Sequence, residues 1–130
     1  MRQLITLILI LFGSLSFSQN KNQFFRFSSI SKESCDTVSN LFKEDLSDKN
    51  LHLFIVGGPV PTIYETDQDF NKKFKVSYYD FGCIVPTSRE CLKEYNYLVF
   101  AYLSEKYGEK WLKKVRKDVL GLREWKKNKR

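Results

Sequence analysis

The residues best suited by type to nucleophilic or metal chemistry are three cysteines, Cys35, Cys83 and Cys91, and the only histidine, His52. A Cys–His pair works only within hydrogen-bond reach. His52 opens one expected strand and Cys83 follows another. If the two run parallel, about five residues at 3.3 Å each hold them roughly 15 Å apart. Cys91 falls in the first turns of an expected helix, where the dipole lowers a thiol pKa, yet no base is placed beside it. Neither C-x-x-C nor H-x-x-x-H spacing occurs, so no zinc site is expected. Glu65, Asp67 and Asp69 lack the later Glu of a calcium loop and read as acids at a helix start. The sequence therefore implies no metal and no cofactor.

The cysteines are better read as a disulfide set, because the N-terminus carries an export signature. Arg2 precedes an apolar run from Leu4 to Phe12, and Ser16-Phe17-Ser18 supplies small residues for a peptidase. The run is short of the about 20 apolar residues of a membrane span. Cleavage near Ser18 leaves Gln19 first and directs a secreted or periplasmic protein. In that oxidising setting Cys83 is expected to pair with Cys91 across seven residues, leaving Cys35 as a buried free thiol.

Two further groups are candidates for binding. If the strands are parallel, Gly57, Gly58, Tyr79 and Asp80 lie at their carboxyl ends, where open α/β sheets place ligands, with Arg89 nearby. The competing reading is an Asp that stabilises a glycine turn. The second group is basic. Of the formal net charge of +7, ten basic and three acidic residues fall between Glu109 and Arg130, so the body is close to neutral. Lys113, Lys114, Lys117, Lys126, Lys127, Lys129 and Arg130 would contact an anionic membrane surface or another polyanion. Nucleic acid is not expected as a partner.

These side chains need a scaffold, and the patterning supplies one. Eleven Phe, seven Tyr and two Trp argue for a packed core. Strands are expected at 24–28, 51–56 and 76–81, and helices near 31–47, 67–74, 88–107 and 110–120. Cys35, Val38, Leu41, Phe42 and Leu46 form the apolar stripe of the first helix. Thr87 and Glu90 form a capping box for the third. Trp111, Leu112, Val115 and Val119 continue as a fourth.

The expected fold is α/β, or α+β: a small two-layer domain of about three strands with one β-α-β unit and a C-terminal helical pair. A helical domain with one hairpin is the alternative. The signal covers 1–18, one globular domain covers 19–122, and 123–130 is a basic, flexible tail. The function expected is that of a small exported binding or interaction protein without catalysis. Its partner would be a protein or small ligand of the cell envelope. The alternatives are a small enzyme with its site at the strand ends, and a peripheral protein of anionic surfaces.

Overall fold

The computed structural model describes residues 22–129, so the signal segment and Arg130 lie outside the described residues. The elements run α1 (Gln23–Ser28), α2 (Val38–Ser47), β1 (Leu51–Ile55), α3 (Glu65–Phe74), β2 (Val76–Asp80) and α4 (Arg89–Tyr107). A 3-10 helix (Gly108–Lys113) and α5 (Leu122–Asn128) follow. Among the described residues the fold is α/β, with two strands rather than about three.

Strands β1 and β2 are parallel neighbours, in register from Leu51 opposite Val76 to Ile55 opposite Asp80. With α3 between them they form the expected β-α-β unit. Successive strand side chains point to opposite faces. Tyr78 meets Phe70 of α3 on one face, while Phe54 meets Tyr95 of α4 and Phe27 of α1 on the other. Helices therefore cover both faces of the sheet, which is why β1 is a nearly unbroken apolar run.

The stretch 24–28 is helical, not a strand. Asn22 accepts a hydrogen bond from the Phe24 N–H at 3.0 Å and caps α1. Gln23 and Phe27, one turn apart, face inward, whereas Phe24 and Phe25 face out. The aromatic run suggested alternation, but a glutamine holds one of the two inward positions.

Residues 31–37 form turns instead of the start of a long helix, and α2 begins at Val38. Cys35 interrupts any helix there with a left-handed φ of 51°. The cap of α4 is Ser88, whose hydroxyl accepts from the Cys91 N–H at 3.2 Å. Thr87, expected in that role, is buried and donates to the Ile30 carbonyl.

After α4 the chain tightens into the 3-10 helix, which seats Trp111 against Phe100 with ring centroids 5.3 Å apart. The helix expected to run to 120 stops short. Residues 114–121 turn, and Val119 forms an antiparallel bridge to Ile55. Gly121 has φ of 85°, and a Cβ there would stand 2.8 Å from the Tyr97 ring, so only glycine fits. The segment from 123, expected as a flexible tail, carries most of α5. Trp125 docks that helix on Tyr97 and Phe100.

Candidate functional site

Each strand-end residue has a defined place. Asp80 closes β2, and its carboxylate accepts the Gly82 N–H at 2.7 Å. Gly82 has φ of 69° and returns its carbonyl to the Gly57 N–H at 3.0 Å. Gly57 lies beside Asp80: a Cβ built on it would fall 3.6 Å from the carboxylate. Asp80 is thus the turn stabiliser that ties the two strand exits together. Tyr79 packs its ring against His52, Phe54 and Phe81. Arg89 is exposed in the first turn of α4. Gly57, Asp80 and Tyr79 share one end of the sheet, but the contacts that engage them do not include Arg89.

The loops leaving that end carry large apolar groups into solvent. Val60, Ile63 and Ile84 are 74%, 86% and 68% exposed. The longer loop is nonetheless held firmly. The Arg116 guanidinium binds Asp118 through two hydrogen bonds of 2.9 and 2.6 Å, Asp67 at 3.0 Å and the Thr62 carbonyl at 2.9 Å. It also lies over the Tyr64 ring at 4.6 Å and near the Tyr78 ring. The paired bonds to Asp118, followed by Asp67, raise the Arg116 pKa further above its ordinary range. Tyr78, whose hydroxyl accepts the Arg116 N–H, has its pKa raised by burial. Nothing in the spacing of Thr62, Asp67, Tyr78 and Arg116 announces this clasp, because their distances along the chain are unrelated to any helical or strand period.

A buried polar network lies on the opposite side of β1. Asp45 on α2 is fully buried and accepts the Tyr95 hydroxyl at 2.5 Å. Arg26 Nη2 approaches Asp45 Oδ1 to 2.8 Å, an ion pair by distance although poorly aligned as a hydrogen bond. Gln23 accepts from Arg26 at 2.9 Å, and its amide N–H faces His52 Nδ1 at 3.4 Å.

Burial, then the Asp45 charge and hydrogen bond, push the Tyr95 hydroxyl well above its usual range. Burial lowers the His52 pKa, with Arg26 adding to the effect and Asp45 opposing it. Burial also works against the Arg26 charge, but Asp45 and Glu44 more than offset it and raise the pKa. The network joins α1, α2, β1 and α4 and keeps Arg26 ionised. Leu46, expected on the apolar stripe of α2, does not face inward. Asp45 has that place, seven residues after Val38, while Leu46 is exposed.

The disulfide is not the expected Cys83–Cys91 pair. Cys91 is bridged to Cys35, with Cα atoms 5.1 Å apart, and Cys83 is free and exposed. Ser88 and Arg89 start α4 directly after the Gly82–Pro86 loop. The Cys91 side chain is buried beside the Ser31 carbonyl, whereas Cys83 is exposed. Sequence proximity favoured the near cysteine, and the fold brought the distant one. A disulfide is the chemistry of oxidising compartments. Among the described residues no helix is long and apolar enough to cross a membrane.

The basic residues separate. Lys113 and Lys114 flank a hollow that also receives Lys73 of α3. Lys117, Lys126 and Lys127 are exposed elsewhere on the chain. Lys129 is engaged by Glu109 at 3.0 Å and lies over the Trp125 ring. No protein-family model matches this sequence, and comparison with characterised proteins and with solved structures brings up no significant relative.

Proposed function

We propose that this protein is a small exported interaction module that binds a protein partner of the cell envelope through the loops at the carboxyl ends of β1 and β2. The observation that carries the reading is the exposure of Val60, Ile63 and Ile84 on loops that are otherwise tied down. Exposed apolar groups on a mobile loop would lose entropy on binding. Held by Arg116 and by the Asp80–Gly82 turn, they meet a partner with much of that cost already absorbed by folding. Loops on a rigid scaffold are the usual place for recognition. The Cys35–Cys91 bridge supports the compartment, and the N-terminal 18 residues would direct export and be removed before Gln19.

The test uses the mature chain as bait against an envelope extract of its own host, with an Ile63→Asp/Ile84→Asp variant as control. A protein retained by the natural chain and released by the variant, reproduced with both components purified, is the expected result. Equal retention by both chains would remove the loops from the reading. Intact mass of the native protein should correspond to a chain beginning at Gln19, and recovery of the full-length chain from cytosol would overturn export.

A further inference from the structure

Lysines from two separate segments converge on one trough. Lys73 comes from the last turn of α3, and Lys110, Lys113 and Lys114 come from the 3-10 helix and the residue that ends it. They wall two adjoining hollows of about 440 and 330 Å³, both lined by Lys73, Lys113 and Lys114. Phe70 and Phe74, themselves almost wholly buried, contribute apolar surface to the larger one. The Lys73 ammonium stands 5.5 Å over the Phe74 ring.

The charge in this trough is not neutralised by the fold. Its two acids are Asp69 and Glu109, and the Glu109 carboxylate is engaged by Lys129 from outside. Among the described residues, no carboxylate forms an ion pair with Lys73, Lys110, Lys113 or Lys114. Each lysine taken alone suits the negative end of its helix. Helix ends do not explain why both sets face the same cavity, where like charges repel and the local potential for an anion rises.

We propose that this trough binds a phosphate-bearing ligand, with the phosphate held among Lys73, Lys113 and Lys114 and the organic part against Phe70 and Phe74. Ammonium groups are compact charges with three rotatable donors and match a tetrahedral oxyanion, whereas a planar carboxylate is better met by the fork of an arginine. The walls hold lysines and no arginine. A volume of about 440 Å³ falls within the range of small-molecule sites and exceeds what a bare phosphate fills. The phosphate can belong to a soluble molecule or to a lipid headgroup.

Titration calorimetry of the mature chain with inorganic pyrophosphate, and co-sedimentation with phosphatidylcholine vesicles containing phosphatidylglycerol, separate the two sources. Binding in either arm is expected. A Lys73→Gln/Lys113→Gln/Lys114→Gln variant should weaken it about tenfold or more. A Lys117→Gln/Lys126→Gln/Lys127→Gln variant, with the same loss of charge, should stay within about twofold of the natural chain. Binding to vesicles alone, with that same dependence, assigns the phosphate to a lipid. Equal weakening by both variants, or no binding in either arm, would overturn the site. Lysine acylation of the natural chain gives a second reading that needs no variant. Pyrophosphate or vesicles should shield Lys73, Lys113 and Lys114 above the other lysines, and uniform shielding would also overturn the proposal.

Discussion

The side-chain amide of Asn96 pairs with the backbone of Phe54 as a neighbouring strand would. Its oxygen accepts the Phe54 N–H at 2.8 Å, and its nitrogen donates to the Phe54 carbonyl at 2.9 Å and the Leu120 carbonyl at 2.8 Å. The Leu120 N–H also reaches the Phe54 carbonyl at 3.1 Å. One side chain of α4 and one turn near the C-terminus thus close the edge of β1 that β2 leaves open. The mostly buried strand β1 thus has partners on both sides, whereas β2 is half-buried beyond Val76.

Replacing Asn96 with Leu should be among the most damaging single changes. It leaves the buried Phe54 N–H without a partner and deprives the Leu120 carbonyl of its donor, for a cost of about 2–5 kcal/mol. Chemical denaturation of the two proteins measures it. A loss below about 0.5 kcal/mol would show that water replaces the amide at the strand edge.

His52 predicts the pH dependence of stability. Its folded pKa is depressed, so below the unfolded value of about 6.5 the unfolded chain binds more protons. The stability tied to a neutral His52 is therefore complete above that value and lost as pH falls through the folded pKa. The slope is at most about 1.4 kcal/mol per pH unit. A His52→Gln variant should flatten the slope between pH 7.5 and 5.5 in denaturation experiments. An unchanged slope would assign the protons to other groups.

The disulfide has a clean discriminator. Thiol titration of denatured, unreduced protein gives one thiol for either pairing of Cys91, so it does not separate Cys35 from Cys83. A Cys83→Ser variant should give none, because Cys35 and Cys91 are bridged. Closure of a loop across 56 residues should contribute about 4 kcal/mol, seen as a lower denaturation midpoint on reduction. Two free thiols in the Cys83→Ser protein would refute the bridge.

Arg116 should control the loop that carries Val60 and Ile63. Arg116→Lys keeps the charge but cannot bind Asp118 through two parallel bonds while also reaching Asp67 and Thr62. A loss of about 1–3 kcal/mol is expected. Faster amide hydrogen exchange should be confined to residues 57–66, with the middle of α4 unchanged. Exchange unaltered in that loop would mean that its own turns hold it.

Local features, whose physics is short-range, are legible in the residues themselves. The apolar run at Leu51–Ile55, the crossover through α3 to Val76–Asp80 and the long α4 follow from periodicity and from punctuation at Gly57-Gly58 and Gly108. The Asp80–Gly82 turn was legible for the same reason, since donor and acceptor are two residues apart. Tertiary structure alone decided what depends on contacts between distant residues.

Phe24 to Phe27 reads as a strand until the sheet edge is seen to be taken by Asn96 and Leu120. Cys91 lies nearer in sequence to Cys83, yet the turns at 31–37 bring Cys35 to it across 56 residues. Residues 123–128 read as a charged end because Trp125 shows its worth only against Tyr97 and Phe100. The burial of Asp45 depends on Arg26 and Tyr95 arriving together from other elements. The lysine trough likewise exists only once α3 has folded beside the 3-10 helix. A side chain's type and neighbours in sequence set its local preference; burial, pairing and electrostatic field depend on which distant groups the fold places around it.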